Sequence, residues 1–410
     1  MTKRQQRTHA PAKKSTKKKN FQKRHLGIAV LLALLVIAVV YVGWKTDRRN
    51  DPLSLATEER TTPQTPAEVL QSTIRRAYAV DRLFHLVINP EWEGASGAIG
   101  DAHLYAATND AALLNFYTTT FPLLKMNNGT WVDDRAWVCL AEMYWWNATG
   151  RVRAEWVSDA KKRYDEARKE GRLSHVEGFW SWYNYPPTTT RTDIRIFTNT
   201  NMNQMATVAC WLYEATHDKH YLNDALLVWE GDGSAPGIEK QFYRGHGIWK
   251  GNDGEAAFGK QFPWEGAGMC TIGAALYRAT EKPKYRDIAA ATAKRIMDPA
   301  NGWIDPTDFY QLRMDGNGAF VFFILDAYQC APTELADIPG KVQKMLDHVW
   351  SNHHGNAPYT LHRSTDDGIR NGWNPDGGED GYKVDEIGTV HPQAQAVLAY
   401  SVYASVLAKH

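Results

Sequence analysis

The chain has 410 residues, with 47 Lys and Arg against 46 Asp and Glu and 43% apolar side chains. Its formal charge of +1 hides two opposed parts: ten of the positive residues fall in residues 1–25, which hold no acidic residue, and the remainder sets 37 Lys and Arg against 46 Asp and Glu, a formal charge of −9. An acidic body excludes nucleic acid and other anionic polymers as its main partner.

Residues 1–25 have no apolar pattern from which a core could form and read as a basic tail. Leu26 to Trp44 follows as 19 uncharged, nearly all aliphatic residues, with Tyr41 and Trp44 at interface positions. At a rise of about 1.5 Å per residue such a run just spans a bilayer. Positive charge before it places the N-terminus in the cytoplasm and the rest outside, as a single-pass type II membrane protein. A cleaved signal peptide is the alternative, but the run exceeds an ordinary signal-peptide core and no small-x-small site ends it, so a signal anchor is expected. The tail then meets anionic headgroups rather than nucleic acid. Residues 45–65, with Thr61-Thr-Pro-Gln-Thr-Pro66, read as a spacer.

Residues 66–410 show no break in composition. A length above the usual single-core size asks for one large closed architecture or for two domains. Internal similarity chooses the closed form: Tyr213–Ala225 lays over Tyr277–Ala289, and Trp146–Gly150 gives a partial third copy. The copies start 67 and 64 residues apart, and each reads as a helix end, a tight turn and a second helix. Apolar spacing predicts helices over 66–88, 101–122, 153–170, 218–230, 265–280, 283–297, 315–330, 334–352 and 390–408. The runs Ala136, Trp137, Leu140, Ala141, Tyr144 and Met205, Val208, Ala209, Leu212, Tyr213 add two more. Eleven or twelve helices make six hairpins able to close into a ring, with the longer links gathered on one rim. Strand periodicity is almost absent, so the expected class is all-α.

The most informative stretch is Gly129-Thr-Trp-Val-Asp-Asp-Arg-Ala-Trp-Val-Cys-Leu-Ala-Glu142. Asp133 and Asp134 stand at the mouth of a helix, where exposed N–H groups favour negative charge. Two adjacent carboxyls push each other's pKa values apart, the division of labour that glycoside hydrolysis requires. The structural alternative is a simple N-cap. Loops elsewhere concentrate aromatic residues: Gly178-Phe-Trp-Ser-Trp-Tyr-Asn-Tyr185, Gly247-Ile-Trp249, Phe262-Pro-Trp-Glu265 and Asn371-Gly-Trp-Asn-Pro375. Trp145, Trp146 and Trp211 lie on helix faces and suit a core. Trp180, Trp182 and Trp264 sit among Gly, Pro and Asn and are expected to offer flat faces to sugar rings.

Other motifs carry less. Met314-Asp-Gly-Asn-Gly318 begins like a calcium loop but lacks the third ligand and the terminal Glu. His353-His354 has no accompanying ligand pattern, and Gly251–Gly259 lacks the Lys-Ser/Thr of a phosphate loop. No metal or cofactor is expected. Cys139, Cys210, Cys270 and Cys330 allow three disulfide pairings or serve as small buried apolar residues, the second reading being favoured. Asn128-Gly-Thr130 and Asn147-Ala-Thr149 are glycosylation sequons, meaningful only in a eukaryotic secretory pathway.

Taken together, the Asp pair, the hairpin repeats and the aromatic links resemble glycoside hydrolase family 76, which holds endo-α-1,6-mannanases and related fungal cell-wall transglycosidases. The likeness runs from about residue 70 to the end. Trp131-Val-Asp-Asp-Arg-Ala-Trp137 resembles the family's aromatic-x-Asp-Asp-x-Ala-Trp stretch, and Gly266–Thr280 resembles a later hairpin. The resemblance implies an (α/α)6 barrel of six helical hairpins following the membrane helix, and a retaining mechanism with Asp133 as nucleophile and Asp134 as acid/base. For two consecutive residues to flank one bond at about 5 Å separation, a non-helical backbone is expected at the pair. Asn199 and Asn201, in Asn199-Thr-Asn-Met-Asn203, fall where the family places polar cleft residues. Trp131, Trp180, Trp182 and Trp264 complete the expected aromatic subsites. The chain departs from the family at Pro263-Trp-Glu-Gly266, in place of Tyr-Asn-Gln-Gly, and at Asn317-Gly318, in place of Lys-Gly. Glu265, Asp315 and Asn317 are accordingly the substrate contacts where specificity is expected to differ.

The expected function is a membrane-anchored, monomeric mannanase cleaving α-1,6 links of a mannose-containing polysaccharide or glycan. Transfer to an acceptor sugar is the nearest alternative. A six-hairpin epimerase or uronide hydrolase, and an inactive glycan-binding module, are further ones; the acidic body argues against uronides, and an inactive site has no need of both aspartates.

Overall fold

The computed structural model describes residues 65–409 apart from 129–130, 172, 175–178, 181–199, 250–262, 302–316, 352–362, 366–367 and 371–389. The basic tail, the 26–44 segment and the spacer lie outside the described residues. Among the described residues no helix is long and apolar enough to cross a membrane.

Helix α1 (Pro66–Val87) starts on a capping box: the Thr65 side chain accepts from Glu68 N, and the Glu68 carboxylate accepts from Thr65 N at 2.8 Å. Then come α2 (Trp92–Thr108), α3 (Ala111–Asn115), a π-turn over Phe116–Thr120 and a 3₁₀ turn over Leu123–Lys125. The chain continues with α4 (Val132–Ala148), α5 (Ala154–Lys169), the hairpin of β1 (Leu173–Ser174) and β2 (Phe179–Trp180), α6 (Thr200–Thr216), α7 (Lys219–Glu230) and α8 (Gly237–Phe242). It ends with α9 (Pro263–Thr280), α10 (Pro283–Ile296), a 3₁₀ turn over Pro299–Asn301, α11 (Asn317–Cys330), α12 (Ile338–Ser351), the hairpin of β3 (Arg363–Thr365) and β4 (Gly368–Arg370), and α13 (Val390–Leu407). Both hairpins are antiparallel, with Leu173 opposite Trp180 and Arg363 opposite Arg370.

Helices α2, α4, α6, α9, α11 and α13 touch one another in that cyclic order, and α13 returns to α2. An inner helix meets neighbours on every side, so α4 is buried continuously from Arg135 to Trp146. Outer α5 buries only the stripe Trp156, Ala160, Arg163, Tyr164 and Ala167. The outer layer holds α5, α7 and α10, each mainly against the inner helix before it, α12, which touches both α11 and α13, and α1, which packs mainly on α13. The ring is therefore closed by pairing α1 with α13. The expected all-α barrel of six hairpins is what the backbone forms.

Four inner helices end alike. Thr108, Thr149, Thr216 and Thr280 each send a hydroxyl back to the carbonyl four residues earlier, of Leu104, Trp145, Leu212 and Leu276, at 2.6–2.8 Å. Asn109, His217 and Glu281 then take left-handed backbone (φ 55°, 58° and 58°), and each donates its N–H to the tyrosine carbonyl four residues back. Leu104-Tyr-Ala-Ala-Thr108 is thus a full copy of the repeat that the sequence overlay omits. The helix expected over 101–122 also starts nine residues earlier, at Trp92, and stops at Thr108. Gly94, Gly97 and Gly100 weaken its sequence pattern but serve packing: a Cβ at Gly100 would come within 2.8 Å of the Leu398 backbone on α13.

Cys139, Cys210 and Cys270 are buried and Cys330 is partly buried, all as free thiols. The Cys139 and Cys270 thiols reach the carbonyls of Ala160 and Ala289 on their outer partners at the same 3.6 Å. The small-apolar-residue reading is the one realised.

Candidate active site

Short turns join α4 to α5, α6 to α7, α9 to α10 and α11 to α12, while longer links lead from α5, α7, α10 and α12 to the next inner helix. The six inner helices therefore start on one rim, where their N–H groups and positive dipole ends gather. Asp133 and Asp134 are the second and third residues of α4, after the extended N-cap Trp131 (φ −91°, ψ 149°). The Asp134 carboxylate accepts the backbone N–H of Trp131, one arm of a capping box. Burial first, then the charge of Asp133, push Asp134 up from 3.8 to about 7; Glu93 and Glu91 add to the rise, and the Trp131 N–H opposes it. Asp134 is thus a carboxyl that still carries its proton half the time near neutrality.

The pair does not have the non-helical backbone expected of it. Both residues lie inside the first turn, and successive helical side chains diverge by about 100°. The separation that a retaining pair needs therefore comes from the roughly 100° divergence of successive side chains on the helix and not from a break in its backbone.

Other expected site residues divide into three groups. Trp131 caps α4; Asn201 lies in the first turn of α6, Trp264 and Glu265 in that of α9, and Asn317 opens α11. The backbone thus carries them to the same rim as the Asp pair. Trp182, Asn199 and Asp315 lie outside the described residues. Trp180 requires a correction: it is 1% exposed, with its ring 5.2 Å from that of Tyr164 on α5. A fully enclosed indole fills the wall and has no face for a sugar. Sequence reasoning missed Glu91 and Glu93, at the start of α2, whose charges act on Asp134. The signal was Pro90-Glu-Trp-Glu93, an acidic and aromatic stretch at a helix mouth like the one at Asp133.

The opposite end of the barrel is filled by polar groups. The Tyr144 hydroxyl donates to Asp326 at 3.1 Å, and the Arg278 guanidinium lies 4.9 Å over the Trp211 ring. Burial raises the Asp326 carboxyl, opposed by the Arg278 charge, and lowers His103 to about 3, leaving it neutral.

One further cluster among the described residues has metal-ligand types. His85 Nε2 stands 2.9 Å from Asp101 Oδ2 and 3.0 Å from Asp81 Oδ1, and the Tyr117 hydroxyl donates to the same Asp101 oxygen. Burial lowers His85, but the two carboxylates outweigh it and raise the ring to about 10. The imidazole between two buried carboxyls ties α1 to α2.

No family model and no curated protein matches the chain. Solved structures do. The GH76A α-1,6-mannanase of Salegentibacter sp. HEL1_6 matches with a TM-score of 0.61 at 15% identity, over 82% of this chain and 99% of that one. An inactive variant of that mannanase, with two consecutive aspartates changed to alanine, is described in complex with α-1,6-mannotetrose. The family 76 glycoside hydrolase (mannosidase) Bt3792 of Bacteroides thetaiotaomicron matches at 0.55 and 15% identity, over 81% and 98% of the two chains. Dfg5 of Chaetomium thermophilum, in complex with glucosamine, matches at 0.54 and 15% identity, over 85% and 92%. At these identities the likeness establishes the fold: an all-α barrel of the kind found in family 76 enzymes.

Proposed function

We propose that residues 66–410 form a glycoside hydrolase or transglycosidase acting on mannose-containing glycans, with α-1,6-mannosidic links as the point of attack. The observation that carries this reading is the Asp134 carboxyl, held at about 7 beside Asp133 in the first turn of an inner helix. A carboxyl of that acidity suits a group that must both give and take a proton near neutral pH. In this reading Asp133 attacks the anomeric carbon and forms a glycosyl-enzyme while Asp134 passes its proton to the departing oxygen. Asp134 then takes a proton from water, or from an acceptor hydroxyl, and the anomeric configuration is retained. Trp131, Asn201, Trp264, Glu265 and Asn317 are assigned to the subsites because their backbone positions share the rim of the pair. The paired aspartates of the mannanase neighbour support the same assignment.

The decisive test incubates the protein with a panel of α-mannans alongside Asp133→Asn and Asp134→Asn. Release of products from α-1,6-mannan, with each variant reduced at least about 10³-fold, is expected. Elongated products in the presence of added acceptor would assign transfer. A folded wild-type protein that turns over no mannan would overturn the mannan reading.

The segment 26–44 is proposed as a signal anchor that leaves the barrel, a monomer, outside the cytoplasm. The full chain should resist carbonate extraction from membranes; release into the soluble fraction would refute the anchor.

A further inference from the structure

The residue after the Asp pair has no part in the chemistry described above, yet it is 7% exposed and bonded through Nε and Nη2. Arg135 Nε donates to the main-chain carbonyl of Asn128 at 3.1 Å, and its Nη2 reaches Glu170 of the α5 end at 3.1 Å. Asn128 is held on both sides of its amide as well. Its Nδ2 donates to Glu166 Oε2 at 2.9 Å, and its Oδ1 accepts from Arg163 Nη1 at 3.3 Å. Arg163 in turn lies 3.3 Å from the fully buried Glu142 of α4 and donates to Asp159 at 2.9 Å. The neighbouring Asn127 N–H donates to Pro90 O at 2.7 Å, joining this point to the start of α2. The chain that enters the Asp-bearing helix is therefore pinned at Asn128, three residues before the Trp131 whose N–H meets Asp134.

We infer that Arg135 is a positioning residue: its guanidinium fixes the entry to α4 so that the Trp131 N–H is presented to the Asp134 carboxyl. This rests on the proposed catalytic role of Asp134. A planar fork can bond a carbonyl and a carboxylate at once, and an ammonium on the same stem cannot match that geometry. The charges that face Asp134 are those of Asp133 on its own helix and of Glu91 and Glu93 at the start of α2, all raising its pKa, so the Trp131 N–H is the contact that opposes them. Loosening the entry loses that opposition.

The test compares wild type with Arg135→Lys and with Glu170→Gln, which removes the charge that pairs with the guanidinium at a half-exposed position. Arg135→Lys is expected to lower kcat by up to about 10²-fold with KM within about twofold. The limb of the pH–rate profile set by Asp134 should move upward by roughly half a unit or more. Glu170→Gln should do the same to a smaller degree. A folded Arg135→Lys with wild-type kcat and an unmoved limb overturns the inference. If Arg135→Lys fails to fold, Glu170→Gln decides: a moved limb supports the role and wild-type behaviour refutes it. Titration of the Asp134 carboxyl by carbon NMR in the same proteins reads the shift without turnover. A wild type inactive on every mannan would therefore defeat the functional reading while leaving the positioning role decided by that titration.

Discussion

A carboxyl held at about 7 in the fold and at 3.8 in a free chain binds its proton more tightly folded than unfolded. Below about pH 3.8 both states are protonated and Asp134 contributes nothing. As pH rises toward 7 the unfolded chain ionises first, so stability falls, and above 7 the loss is complete. Asp134→Asn should therefore abolish turnover and yet raise Tm. The gain over wild type should be absent near pH 3.5, grow through the acid range and level off at about pH 8. Melting curves at several pH values check this; an equal shift at all of them would mean the side chain acts through packing alone. The same residue shows how far the sequence speaks for itself. Adjacent carboxyls and a following apolar spacing were legible as an Asp pair at a helix mouth. The pull of Glu91 and Glu93 was not, because it depends on which helix start stands beside which. Trp180 failed for a related reason: a tryptophan in a Gly-rich stretch looks exposed until the hairpin that encloses it is placed against Tyr164.

Glycines reverse their usual meaning at the level of helices. Low helix propensity marks Gly94, Gly97 and Gly100 as breakers, and a reading by propensity starts α2 too late. Tertiary contact overrides propensity here, since the inner helices approach to backbone distance and only a missing Cβ permits it. The sharpest case is Gly318 in the first turn of α11, where a Cβ would come within 2.2 Å of Gln395 O on α13. Next to it, the Ala319 N–H, one of the orphan donors of that turn, is satisfied by Gln395 Oε1 at 2.9 Å. Gly318→Ala should lose about 3 kcal/mol or more through overpacking and disturbance of that bond. Gly340 in α12 is the contrast, with nothing within 4 Å of its would-be Cβ. Gly340→Ala should gain about 0.5–1 kcal/mol from helix propensity and a less flexible unfolded chain. Denaturant titration of the pair separates the two effects, and a stable Gly318→Ala would show that α11 and α13 are free to move apart. The helix ends, by contrast, were readable: Leu-Tyr-x-Ala-Thr spells a hydroxyl back-bond and a left-handed cap wherever it occurs.

The closure of the ring explains why the first helix among the described residues is not the partner of the second. Helix α1 joins α2 through the four residues 88–91, so α1 ends at the rim where the inner helices begin and starts at the rim where they end. Helix α13 ends at that latter rim and packs along α1. The two therefore pair as a sixth hairpin with no turn joining them directly, a relation that no spacing within the sequence records. A circular permutant makes the claim testable. Joining residue 409 to residue 65 by a short Gly-containing turn restores the missing connection. Opening the chain at Glu281, whose left-handed turn between α9 and α10 is exposed, cuts a hairpin that the barrel holds from both sides. This permutant should fold with a single cooperative melt and keep the near-ultraviolet aromatic signal of the parent, because every interhelical contact is retained and only one turn has moved. Opening instead between Trp131 and Val132 keeps the contacts of the ring but releases the entry to α4. That chain should retain the barrel and lose turnover. An Asp-pair function independent of how its helix begins would leave the second permutant active.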